Sequence, residues 1–165
     1  MDVAENTDAN LQYHDQYLTF QLGDEEYAID ILSVQEIKSW TSVTPLPQSP
    51  PYMLGVINLR GAIVPVIDLR RRFDLPEREI SPITTVVIVS ADSDDGQKVV
   101  GLVVDCVSEV YHLASNQIQQ SNEISGDIDT NFIHGLAKID DKLVILLNLS
   151  RLVLSSLGVE SGAQT

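Results

Sequence analysis

The sequence predicts a mainly β protein made of two small, similar barrels packed together, with short helices that include one at the C-terminus. Three observations carry this reading. Apolar and polar residues alternate with a period of two over most of the chain, the sign of strands with one face inward. Two blocks of the sequence repeat in the same order. Several strands are also apolar at successive positions, so both of their faces want cover, and a second barrel would provide it.

In chain order, Leu18, Phe20 and Leu22 alternate with Tyr17, Thr19 and Gln21, which reads as a half-buried strand. Gly23-Asp24-Glu25-Glu26 turns into Tyr27–Ile31, and Val34-Gln35-Glu36-Ile37 follows. The loop from Pro45 to Pro51 cannot donate ladder bonds and is expected at the surface. Met53–Leu59 and Ala62–Leu69 flank Arg60-Gly61 as a hairpin. Asp68 can cap a short helix through Phe73. Thr84–Val89 and Val99–Val104 read as strands about the turn Asp92–Gly96. Phe132–Ile139 and Leu143–Leu149 form a further hairpin, and Ser150 can cap a closing helix stopped by Gly158.

The repeat sets the organisation. Gly55–Leu69 aligns without a gap on Gly135–Leu149, and Val34–Ile37 aligns on Val107–Val110, so that Glu36 meets Glu109. Each half then holds about five short strands, the count of a small SH3-like barrel. The expected organisation is an acidic tail over residues 1–15, a body over 16–157 and a second tail over 158–165. Within the body, one five-stranded barrel is expected at about 16–80, its tandem copy at about 82–149 and the closing helix at 150–157. One such barrel alone buries little apolar area, which is a further reason to pack two.

Composition excludes several functions. The net charge of −14, from 24 acidic and 10 basic residues, argues against nucleic acid and anionic membrane surfaces as partners. Arg70, Arg71 and Arg72 are the one basic cluster, read as a solvated helix face. A single cysteine, Cys106, points to a reducing compartment. The first residues lack the pattern of a signal peptide, and no apolar run nears the ~18 residues of a membrane span. A cytoplasmic protein is expected, with no direct membrane insertion.

No active site emerges either. His14, His112 and His134 belong to no motif, and Cys106 has no base beside it in sequence. The run Asp92–Gly96 approaches a calcium loop, but its spacing is one residue short and Val103 stands where the bidentate glutamate belongs. No phosphate-binding glycine loop appears. The reading is a non-catalytic protein with no cofactor and no metal. Two charges remain that a barrel does not require: Glu36 in an apolar strand and Arg60 at a tight turn.

Five ordered blocks then resemble the CheW family: Leu-Gly-Asp-Glu-Glu-Tyr (22–27), Val-Gln-Glu-Ile (34–37), Gly-Val-Ile-Asn-Leu-Arg-Gly (55–61), Ile-Val-Pro-Val-Ile-Asp-Leu-Arg (63–70) and Val-Val-Gly-Leu-Val-Val-Asp-Cys-Val-Ser-Glu-Val (99–110). The resemblance covers residues 16–157 and is looser over 132–149. It implies an adaptor that couples the cytoplasmic tips of chemoreceptors, the methyl-accepting chemotaxis proteins, to the regulatory domain of the histidine kinase CheA, recruited to receptor arrays at the inner face of the membrane. It also implies head-to-tail docking between such domains and a receptor-binding groove at Val34, Glu36, Gly55, Arg60, Val86 and Val87. Glu36 and Arg60 match a charge pair of the family, whereas core packing claims one of Val86 and Val87, which point to opposite faces of a strand. The kinase-docking end would lie on the second barrel. Alternatives are a CheW-like scaffold of a chemosensory pathway that does not control flagella and a small ligand-binding β-barrel.

Overall fold

A computed structural model describes residues 15–120 and 131–158; most of the two expected tails lies outside this range. The described residues hold eleven strands: β1 (Asp15–Leu22), β2 (Glu25–Asp30), β3 (Val34–Ser39), β4 (Met53–Leu59), β5 (Ala62–Asp68), β6 (Thr85–Ser93), β7 (Gly96–Val104), β8 (Cys106–Leu113), β9 (Ile118–Gln120), β10 (Ile133–Ile139) and β11 (Lys142–Leu147). The helices are α1 (Leu69–Arg72) and α2 (Leu149–Ser156). Asp68 caps α1 as expected. The cap of α2 is Asn148 rather than Ser150, because its side chain accepts from the Arg151 N–H one turn on.

The strands form two sheets, one ordered β3-β6-β7-β5-β4 and the other β8-β1-β2-β11-β10-β9. Sheet membership departs from the split expected near residue 80. The hairpin β1–β2 hydrogen-bonds to β8 on one side and, in parallel, to β11 on the other, so it belongs with the C-terminal strands. The five-stranded lobe is instead the contiguous stretch 34–104. The counts are five and six strands, not five and five.

The repeat is real under this permutation. β3, β6, β7, β5 and β4 of one lobe take the places of β8, β1, β2, β11 and β10 of the other, and each sheet has one parallel pair at the same position, Val66↔Gly101 and Leu146↔Ala28. Before each helix the same bond recurs: Asp68 N–H donates to the Tyr52 carbonyl at 2.8 Å, and Asn148 N–H to the Phe132 carbonyl at 2.7 Å. Gly55 and Gly135, matched in the sequence, share a reason. At each, a Cβ would collide with a carbonyl of the strand laid across it, Thr44 for Gly55 and Gln119 for Gly135. That close approach lets Thr44 exchange two 2.9 Å bonds with Val56, joining the chain beyond β3 to β4 at the other end of the strand order.

Three cores follow from period-two strands that are covered on both faces. Ile57, Val64, Val66, Val86, Ile88 and Val103 fill the five-stranded lobe, and Tyr17, Ala28, Leu113, Ala137, Val144 and Leu146 the other. The largest core is the seam between the lobes, where Leu18, Phe20 and Ile29 meet Val87, Val89 and Leu102 with Leu152 and Val153 of α2. β1 is therefore not half-buried: Tyr17 and Thr19 are enclosed in their own lobe while Leu18 and Phe20 enter the seam.

Candidate functional site

β3 and the β4–β5 turn bring together the two charges that the barrel does not require. Arg60 and Gly61 both have positive φ, 52° and 89°, and the Gly61 N–H donates to Asn58 Oδ1 at 2.9 Å, which sets the tight turn. From that turn Arg60 Nη2 donates to Glu36 Oε1 at 2.7 Å, with side-chain exposures of 72% and 29%. The hydrogen bond from Arg60 holds the Glu36 carboxyl below its ordinary range. On the same two strands, β3 and β5, Ile37 and Ile63 are exposed large apolar side chains. An open ion pair and exposed isoleucines on one end of the lobe suit protein docking: charges can orient a partner and apolar groups supply area.

The other residues of the expected groove are placed differently. Val34 is half-buried at the start of β3 and packs on the seam. Gly55 is buried, and its role is the close approach of Thr44. Val86 and Val87 are 1% and 0% exposed, the first inside the five-stranded lobe and the second in the seam. β6 has its lobe's own core on one face and the seam on the other, so core packing claims both valines rather than one. Neither side chain reaches the surface.

At the same place on the six-stranded lobe, Glu109 in β8 answers Glu36, and Asp140, with φ 51°, answers Arg60. Among the described residues, no cation pairs with Glu109 there. Its carboxylate instead accepts from the Tyr111 hydroxyl at 2.7 Å, a bond that pushes the phenol up to about 12. Val110 and Leu143 are exposed at the positions of Ile37 and Ile63.

The arginine cluster is not a solvated face. Arg70 is buried and forks onto Asp105 through Nε at 2.7 Å and Nη2 at 2.6 Å. Burial pushes the Asp105 carboxyl up, but the Arg70 side chain, the Gly23 N–H and the charges of Arg70 and Arg78 outweigh it and hold the group below its usual range. Arg72 lies over the rings of Tyr52 and Phe132 at 4.9 and 4.6 Å and donates to the Ser155 and Ser156 hydroxyls. Arg71 alone is substantially open, reaching Glu77 at 3.2 Å. A signal was present in the sequence: Asp105 interrupts an apolar run between Val104 and Cys106, where an acid needs a partner.

The arrangement holds no reaction centre among the described residues. His112 is exposed with Gln16 beside it, His134 is exposed, and burial pushes the Cys106 thiol up. No group of three metal-binding side chains occurs among the described residues. A pocket of about 410 Å³ sits at the seam, lined by Tyr27, Phe73, Phe132, Ile133, Ile145 and Leu147 with Arg72 and Asp74 as its charged groups. The lobe interiors themselves are packed with side chains. No helix among the described residues is long and apolar enough to cross a membrane.

Two SH3-like lobes sharing a sealed core, with ion pairs and apolar side chains outward, define a non-catalytic scaffold for protein contacts. The family model described as a CheW-like domain matches residues 16–156. The chain is 42% identical over 135 residues to a probable chemotaxis protein CheW of Rhizobium etli, covering 82% of this chain and 84% of that one. It is 40% identical over 140 residues to the chemotaxis protein CheW of Klebsiella aerogenes, covering 85% and 82%. The crystal structure of the scaffolding protein TtCheW from Thermoanaerobacter tengcongensis superposes with a TM-score of 0.74 at 37% identity, covering 84% of this chain and 92% of that one. The chain belongs to the CheW family of chemotaxis scaffolds.

Proposed function

We propose that this chain couples the cytoplasmic tips of chemoreceptors to the regulatory domain of the histidine kinase CheA, working in the cytoplasm at receptor arrays. The observation that carries the reading is the open Arg60–Glu36 pair, on strands that also expose Ile37 and Ile63, in a chain of this family. A receptor helix would meet Glu36, Arg60 and the rim at Val34. Gly55, Val86 and Val87 act beneath that face by fixing the sheet that carries it. The kinase would dock on the six-stranded lobe, whose tip carries a different charge pattern. Co-sedimentation of the chain with a receptor signalling fragment and with the kinase tests this. Both partners should bring the chain down, and Arg60→Glu should lose the receptor while keeping the kinase. Retention of the receptor by that variant would refute the assignment of this face.

A further inference from the structure

The chain crosses between the lobes twice, and the internal repeat makes the two crossings equivalent positions. They are built differently. The β7–β8 crossing turns on Asp105, whose carboxylate receives Nε and Nη2 of Arg70 from α1 at 2.7 and 2.6 Å and the N–H of Gly23, in the β1–β2 turn, at 2.8 Å. Arg70 Nη1 also donates to the Pro76 carbonyl at 2.6 Å, so both edges of its guanidinium are engaged. The side chains are 8% and 12% exposed. One carboxylate thus ties a helix of the five-stranded lobe to a turn of the six-stranded lobe at the point where the chain passes between them.

The β2–β3 crossing, through Ile31–Ser33, has no such tie. Leu32 stands where Asp105 stands in the repeat and is 90% exposed, and Ser150 occupies the place of Arg70 with a side chain too short to reach across. An open cleft of about 310 Å³ lies there, lined by Leu32, Ser33, Ser90, Asp92, Gln97 and Ser150 among others, and the buried Ser90 Oγ has no hydrogen-bond partner.

The seam between the lobes is mostly apolar, joined at its edge by bonds from Arg72 of α1 to Ser155 and Ser156 of α2, and apolar burial is non-directional: it holds two surfaces together without choosing the angle between them. A two-pronged Arg–carboxylate bond is directional. Buried ion pairs contribute little net stability over apolar residues of similar size, so what such a pair adds is geometry. We infer that Arg70 and Asp105 form a one-sided latch that fixes the angle between the lobes, and with it the placement of one lobe's outer face relative to the other's. The β2–β3 crossing is the compliant side. This inference stands apart from the partners proposed above, and its test uses none of them.

The experiment measures amide residual dipolar couplings of the full chain in a weakly aligning medium. In the unmodified chain both lobes should fit one alignment tensor. The apolar pair Arg70→Met with Asp105→Leu should keep the dispersed amide spectrum of each lobe and yet require two tensors, rotated or unequal in magnitude. Arg70→Lys keeps the charge and the fold but loses the fork, and should show the same loss in milder form. If the double variant does not fold, the lysine variant decides. A folded double variant that still fits one tensor in the original orientation would overturn the latch, as would a lysine variant indistinguishable from the unmodified chain. A pair that merely stabilised the fold would leave the angle unchanged in every variant that folds.

Discussion

The tips of the two lobes share a backbone and differ in charge. At one, Arg60 leaves the turn with φ 52° and donates to Glu36; at the other, Asp140 takes the same turn with φ 51°, and Glu109 is left to Tyr111. The apolar positions around both are kept, Ile37 and Ile63 against Val110 and Leu143. The repeat therefore keeps the backbone and the apolar positions of the two tips, while their charged residues differ. The crossings teach the same lesson at the interior, where Asp105 answers Leu32.

The largest effect should separate the crossings. Asp105→Ala strands the buried guanidinium of Arg70 and should cost roughly 3–5 kcal/mol in urea unfolding, while Leu32→Ala at the equivalent, exposed position should stay within about 0.5 kcal/mol. The pH dependence has a definite sign. Because the folded Asp105 carboxyl lies below its unfolded value, its contribution is present above the ordinary carboxylate range and disappears as pH falls through the folded value. Asp105→Asn should therefore be less stable at neutral pH and should flatten the acid limb of the stability profile. An unchanged acid limb would mean that another carboxylate governs it.

The paired glycines come next. Gly55→Ala meets a backbone carbonyl and also forces a non-glycine residue to φ 150°, so a loss of about 2–4 kcal/mol is expected from denaturant unfolding. Gly135→Ala meets only the crowding, at 2.6 Å from the Gln119 carbonyl oxygen, and should lose less, about 1–2 kcal/mol. Equal losses would show that crowding alone matters at both sites.

At the tips the expected effects move from stability to binding. Arg60→Glu should hardly change the melting temperature, since the pair is open, but should weaken the receptor fragment about tenfold in a titration. Asp140→Arg should leave that titration untouched. The smallest effect is local: Asp140→Arg places a cation near Glu109 and should lower the Tyr111 phenol from about 12, read as the absorbance change missing in Tyr111→Phe. A phenol that does not move would show that Asp140 and Glu109 do not sense each other.

Much of this was legible in the residues. Strand alternation, the Arg60-Gly61 hairpin, the Asp68 cap and the match of Gly55 to Gly135 are local patterns, and each appears in the fold. The charge pair was readable because Glu36 and Arg60 are anomalies in apolar surroundings. What escaped is long-range. Periodicity states which face of β1 and β2 is apolar but not that β2 pairs in parallel with β11, more than a hundred residues away. The blocks that match in sequence are collinear, whereas β1–β2 matches β6–β7 only after permutation. Arg70 looked solvated because its partner lies 35 residues on. Val86 and Val87 cannot be told apart from surface strand residues until the lobe core and the seam are known to cover the two faces of β6.

The permuted strand order has a consequence for synthesis on the ribosome. Everything the five-stranded lobe needs lies between Val34 and Val104, so it can close while the rest of the chain is still inside the exit tunnel. The hairpin β1–β2 is made before any of it and seated after all of it, since its flanking strands β8 and β11 are the products of later codons. During that interval the apolar side chains of Leu18, Phe20 and Ile29 have no sheet of their own. A chain arrested before Lys142 should therefore carry a finished five-stranded lobe and an N-terminal hairpin that lacks its β11 partner, and that nascent species is where a ribosome-associated chaperone would find its client.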